Sequence, residues 1–406
     1  MIFQTGSYPR LSPLPISSES PLVFVQSPPM QKLSLLLLVA LSCAAPKVQP
    51  DGFVSLCNGR NLNGWVNANC APETWSVRDG VIHCTGLPTG ALRTARQYEN
   101  FILELEWRHL TSGGNSGVCI WGTPVAAPGV PFLRGIETQV LDHGYNPPGK
   151  GDRYTTHGDV FPIHGATMQP FGRHNGQRSF PSGEFSKPSP EWNHYRIVGS
   201  NGVLRLSVNG HEVSGGAECN YRKGYLALES EGAPVEFRNL RIKELPSSSA
   251  AAEVTAPLDQ GWHSLFTGLD WRGWQTNAAT TARWQVSGER LLLRPGAVEP
   301  AAVLWSTRAF GDAEFIVDCR PAKTEQGREA SAPALQLRGT ELKLAAESGQ
   351  YQRFVITVQG RAVTVRRNDK EIQRLLLPAD APARGPLGLR TTGGAVEFMN
   401  LYAREL

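Results

Sequence analysis

The 406 residues contain no lysine or arginine run, and 40 Lys+Arg against 36 Asp+Glu leave a formal charge of only +4. That excludes a nucleic-acid footprint, which needs positive charge concentrated on one face. Long apolar stretches are scarce as well. The strongest, LSLLLLVAL at 33–41, is nine residues long, too short to cross a bilayer's hydrocarbon core. No segment carries a convincing helical period. The strand-turn-helix settings of a serine nucleophile elbow and of a Gly-rich phosphate or dinucleotide cradle are therefore absent, and with them cofactor-driven redox chemistry. What the chain does have is 42 Gly, 30 Pro and 8% aromatic residues, the composition of short strands joined by many turns.

The short apolar run reads as the core of an export signal, with Lys32 supplying the positive n-region and Ser42-Cys43-Ala44 the small residues of a cleavage site. Met30 is the expected start of that signal, and residues 1–29 are expected to carry no fold. The chain is thus expected to be exported, to the periplasm or beyond the cell. Cys43 is also a candidate lipid-anchor cysteine. Past it stand Cys57, Cys70, Cys84, Cys119, Cys219 and Cys319. Export permits disulfides, and Cys70 with Cys84 is the best pair, although a simple hairpin through Asp79-Gly80 would set Cys84 opposite Trp75 instead.

One domain is written twice. FVSLCNGRNLNGW (53–65) matches WHSLFTGLDWRGW (262–274) at an offset of 209, which also brings Trp75 onto Trp284. At the far ends VEFRNLRIKEL (235–245) matches VEFMNLYAREL (396–406) at an offset of 161, so the second copy is shorter by 48 residues. Residues 1–45 are taken as the extension and signal, 51–245 as the first domain, 246–258 as a linker and 259–406 as the second. The small, polar sequence PSSSAAAEVTAP suggests a flexible tether. Both copies read as β. FILELEW (101–107) alternates apolar and acidic residues, and the Asn201-Gly202 and Asn209-Gly210 pairs suit tight hairpins. The expected fold class is all-β, two antiparallel sandwiches or jelly rolls in series. Trp65, Trp75, Trp274 and Trp284, kept in both copies, are expected to serve packing, and Cys57 to fill core.

The missing 48 residues fall between positions 107 and 192, an interval that holds five of the nine histidines. In GIETQVLD, Glu137 and Gln139 share one strand face, opposite Ile136, Thr138 and Val140, and Asp142 stands at the strand's end. His157, Asp159 and His164 sit in a Gly/Pro-punctuated loop. Together with Glu137 they form the candidate catalytic set, by proton transfer or by holding a divalent cation, although two histidines seven apart match no strong metal spacing. Asn115 and Ser116 lie between glycines, where the backbone approaches a ligand closely. These two, with Gln139, Asp142, Lys187 and Asn193, are the candidate substrate-binding residues. Each also has a plainer reading, as a solvated strand face or a tight loop.

The ordered set SLCNGRNLNGW, WSVRDGVI, GGNSGV, GIETQVLD, HGDVFPIHGA, EWNHYRI and VEFRNLRIKEL resembles the 3-keto-disaccharide hydrolase family of exported bacterial proteins, over about residues 51–245. The second copy looks like a degenerate member that keeps only the ends. The resemblance implies a concanavalin-like jelly roll acting on glycosides already oxidised to a ketone at C3, with a small carbohydrate as substrate and a sugar 3-oxidoreductase as functional partner. No cofactor is assigned. A C3 ketone acidifies the C2 proton, so a base can remove it, the enolate can expel the C1 substituent, and water can then add. Glu137 or His157 is expected as base, with Asp159, His164 or Asp142 as acid or metal ligand. Because Gln139 and Leu141 follow Glu137, a second carboxylate is expected to be missing from that face, which would argue against ordinary glycoside hydrolysis. The rival reading is a carbohydrate-binding jelly roll without chemistry.

Overall fold

In the computed structural model, residues 49–145, 157–294, 303–321, 332–347, 349–391 and 394–406 are described. The export signal, Met30, Lys32 and Cys43 lie outside them. No helix among the described residues is long and apolar enough to cross a membrane.

Nine strands form one sheet of the first sandwich, with Phe101–His109 between Asn193–Ser200 and Val235–Glu244. Eight form the facing sheet. Its order runs His174–Asn175, Arg178–Ser179, Val160–Ile163, Gly135–Leu141, Asn115–Gly122, Tyr225–Ser230, Gly90–Thr94, Trp65–Asn67. Neighbouring strands pair antiparallel. Period-two alternation decides what lies between the sheets. Phe101, Leu103, Leu105 and Trp107 point inward to meet Ile136, Val140, Val118 and Leu228, while Glu104 and Glu106 face outward and are held by Arg196, Arg241 and Arg238. Asp79-Gly80, Asn201-Gly202 and Asn209-Gly210 all take positive φ at both positions, which suits the twist of two-residue hairpins.

The second sandwich repeats this plan with an eight-stranded and a five-stranded sheet around its own core. The fold is thus all-β, as expected, with four antiparallel sheets around two main cores. Trp75, Trp274 and Trp284 are buried in the two cores, while Trp65 and Cys57 pack against the first. The Cys70–Cys84 pairing is corrected: all six described cysteines are free. The hairpin sets Trp75 opposite Cys84, which leaves Cys70 outside the pair.

Residues 246–257 are no loose tether. Asn100 donates to the Pro246 carbonyl, Ser247 and Ser248 donate to Glu99, and Gln97 donates to the Ala256 carbonyl. The backbone of 254–256 bonds Arg222 and Lys223. A segment of small residues lies flat wherever polar groups on the neighbouring surface satisfy its backbone.

The second sandwich also grips a loop of the first. Residues 124–132 lie against the strands Ala313–Pro321 and Gln352–Gln359. The Gly129 amide donates to buried Asp318 at 2.9 Å, Arg353 donates to the Ala126 carbonyl at 2.7 Å, and Asn400 donates to the carbonyls of Ala127 and Val130. Ala126 packs with Ile316, Val355 and Tyr402.

Candidate active site

The outward face of the eight-stranded sheet follows from the same alternation. Where Ile136, Thr138 and Val140 go inward, Glu137 and Gln139 go outward. The neighbouring strand contributes Asn115, Gly117 and Cys119, and the next Ala227 and Glu229, with Glu231 just beyond its end. A cleft of about 260 Å³ lies here. It is lined by Glu137, Glu229 and Glu231, by Gln139 and Asn115, by Arg178 and His164, and by the rings of Phe132, Phe161 and Tyr145.

Gly117 explains how two of the acids meet across an intervening strand. A methyl group there would stand 2.6 Å from a Glu229 oxygen and 2.8 Å from a Glu137 oxygen, so the absence of a side chain opens the space both carboxylates occupy. Burial raises Glu137 well above the usual carboxylate range; Glu231 adds repulsion and Arg178 partly opposes it. Glu229 is raised likewise, by burial and then by Glu137 and Glu231. Glu231 is raised by burial to about 7. Like charges this close in a poorly hydrated site do not all ionise, so protonated and ionised carboxyls coexist near neutral pH. Arg178 spans the cleft edge, donating to Asp159 at 2.8 Å with its guanidinium 3.3 Å from the Phe161 ring centre. Phe132 stacks on His164 at 6.0 Å, and so the loop gripped by the second sandwich supplies one wall.

A larger cavity, about 380 Å³, opens on the outer face of the nine-stranded sheet beside Glu104 and Glu106. Both acids are bound by arginines there and held below the usual range, although burial works the other way. Neither has a proton to give near neutrality, so the smaller cleft is the better site for chemistry.

The predicted residues divide. Glu137, Gln139, Asn115 and His164 line the cleft. Gln139 donates to Asn115 at 2.9 Å, which orients both amides. His157 does not line it. Its ring lies on His143 at 4.9 Å, burial and then His143 lower it to about 4, and its loop is tied to the strand of Gln139 by backbone bonds, the Gly158 amide donating to the Gln139 carbonyl and the Gln139 amide to the Asp159 carbonyl. Asp159 is fully buried and paired with Arg178, so it acts on the cleft through that cation. Ser116 points inward, its hydroxyl donating to the Glu229 carbonyl. Asp142 accepts from the amides of Gly113, Gly144 and Ser189, which fixes the turn after the strand. Asn193 is bonded to the backbone of Lys187 in both directions, a loop clasp away from the cleft.

Glu229, Glu231, Arg178 and the three rings were not anticipated. The expectation that the face lacks a second carboxylate is corrected: the strand of Glu137 has no other, but the strand two places over supplies Glu229, and the residues just past its end supply Glu231. The signal was the alternation in YLALESEG, where Leu226 and Leu228 point to the core and Glu229 and Glu231 do not.

Fold and cleft together define the class, an all-β sandwich protein with a carboxyl-lined cleft on one sheet face. Residues 52–243 match the family described as the 3-keto-alpha-glucoside-1,2-lyase-like domain, and this segment belongs to that family of 3-keto-disaccharide hydrolases. A relative from Bacteroides thetaiotaomicron, named 3-keto-disaccharide hydrolase, is 23% identical over 234 residues, covering 49% of this chain and 80% of its own. Among solved structures, a protein of Parabacteroides distasonis named provisionally as a glycosyl hydrolase is similar at TM-score 0.40 and 22% identity, covering 48% of this chain and 95% of its own. A carbohydrate-binding module of Bacillus subtilis is similar at TM-score 0.31 and 12% identity, with 45% and 96% covered.

Proposed function

We propose that the first sandwich cleaves glycosides whose sugar carries a ketone at C3. The observation that carries this reading is the convergence of Glu137, Glu229 and Glu231, all raised, beside Arg178 in one cleft. Acid and base chemistry at one pH needs carboxyls whose proton affinities are pushed apart. Glu231, raised only to about 7, is ionised in an appreciable share of molecules at neutrality and serves as base. It takes the C2 proton as the C–H electron pair moves into a C2–C3 double bond, with the charge on the C3 oxygen. Arg178 stabilises that oxyanion. The enolate reforms the ketone, a C1–C2 double bond develops, and the C1–O bond breaks. Glu137, protonated together with its partner Glu229, gives the leaving oxygen a proton. Addition of water to the C1–C2 double bond yields the free 3-keto-sugar. Gln139 and Asn115 bind hydroxyls, and Phe132 and Phe161 flank the ring. The substrate requires a sugar 3-oxidoreductase upstream, and the expected export signal of this chain supports action in the periplasm or outside the cell.

The test is the full chain incubated with a 3-keto-disaccharide and with its unoxidised parent. Cleavage of the keto form alone is expected. Cleavage of both would make this an ordinary glycosidase, a reading that the Glu137–Glu229 pair now makes concrete. Binding without cleavage of either would make it a carbohydrate-binding domain.

A further inference from the structure

Outside the cleft, three metal-competent side chains from separate segments meet at one end of the eight-stranded sheet. His143 stands in the turn after Gly135–Leu141, His157 leads into Val160–Ile163, and Glu184 precedes Asn193–Ser200. One ligand atom from each lies within 4.8 Å of the others. We propose that His143, His157 and Glu184 bind a divalent cation of the zinc class, which clasps these three segments together.

The donor set is two imidazoles and one carboxylate, the mixture that borderline ions such as Zn²⁺ and Co²⁺ take, with remaining positions left for water. His143 Nε2 and a Glu184 oxygen are 3.3 Å apart. Bonds of about 2.0–2.1 Å set the ligand atoms of a tetrahedral zinc roughly 3.4 Å apart. The widest separation is larger, but His143 is half-buried and Glu184 exposed, so rotation of either closes it. An independent observation comes from His157. It is only 2% exposed, yet among the described residues its Nδ1 is buried without a hydrogen-bond partner, a rarity in folded proteins. Support behind the ligands is present as well. Asp142, held by three backbone amides and by Ser112, fixes the turn that carries His143, and Ser186 Oγ, 2.7 Å from His143 Nε2, yields that nitrogen to the ion. These residues do not line the cleft, so the site does not depend on the proposed reaction.

The experiment uses the full chain stripped with chelator and titrated with Zn²⁺ by calorimetry and with Co²⁺ by visible spectroscopy. One ion per chain is expected, with a Co²⁺ spectrum of nitrogen and oxygen ligation and a rise of several degrees in melting temperature. His143→Ala should weaken binding at least 100-fold and Glu184→Gln about tenfold. Both side chains reach solvent, so these variants are expected to melt like the stripped wild type. Absence of stoichiometric binding would overturn the proposal. So would variants that bind as tightly as wild type, which would put the ion elsewhere, for example among the cleft carboxylates, or thiolate bands in the Co²⁺ spectrum.

Discussion

At the offset of 161 that aligns the two closing strands, Glu229 of the first sandwich corresponds to Arg390 of the second, and Glu231 to Thr392. The consequences diverge. Glu229 is a buried acid whose proton affinity is raised by burial and by Glu137, whereas Arg390 makes an ion pair with Glu341 at 2.6 Å on a sheet of five strands rather than eight. The interior tryptophan has not diverged: Trp75 and Trp284 are both almost wholly buried. One scaffold therefore keeps its core in both copies and changes its open face. In the first copy uncompensated carboxyls crowd a cleft. In the second a salt bridge neutralises the acid, and the opposite sheet holds a loop of its neighbour. The difference separates what packing requires from what chemistry requires.

The sharpest way to break this contrast is to remove the proton donor. Glu137→Gln keeps shape and burial but cannot ionise; turnover of a 3-keto-disaccharide should fall by about 10²–10⁴, with melting temperature equal to or above wild type. Next comes the brace. Asp318→Ala leaves Arg353 buried without its partner and frees the Gly129 amide, and should cost about 3–5 kcal/mol in denaturant unfolding. Should turnover of the still folded fraction also drop, the second sandwich positions Phe132 as well as stabilising the chain.

A smaller effect is expected from Gly117→Ala, whose methyl would crowd both Glu137 and Glu229. Turnover should fall roughly tenfold, about 1.4 kcal/mol, with unchanged circular dichroism. The last concerns pH. Glu231 is raised from 4.5 to about 7 on folding, so between those values the folded state holds a proton that the unfolded state has released. Stability should therefore fall as pH rises through that window, by at most about 1.4 kcal/mol per pH unit for this proton. Glu231→Gln should remove that part of the slope in melting curves recorded from pH 4 to 8.

Much of the fold was legible because strand alternation and Asn-Gly turns are local signals. FILELEW places its four apolar residues inward, and Glu137 and Gln139 share a face as their spacing requires. The rest of the site was not, because a cleft on a sheet is assembled across strands distant in sequence. Reasoning that chemistry lies where the copies differ in length led to residues 107–192, where Glu137, Gln139, Asn115 and Arg178 do lie. It overlooked Glu229 and Glu231, which sit in a segment both copies share and differ only in residue type. His157 and Asp159 looked catalytic by composition, but burial and partners decide the role of an ionisable group, and the sequence does not display these.

The central claim is that the cleft carboxyls pull a proton from C2 of a keto-sugar, and its most direct test is cleavage of a 3-keto-disaccharide deuterated at that carbon under single-turnover conditions. The account predicts a primary isotope effect of about 2 or more for the full chain, set by proton removal in the transition state. Equal rates for the two isotopologues, with glycosidic cleavage intact, would contradict it.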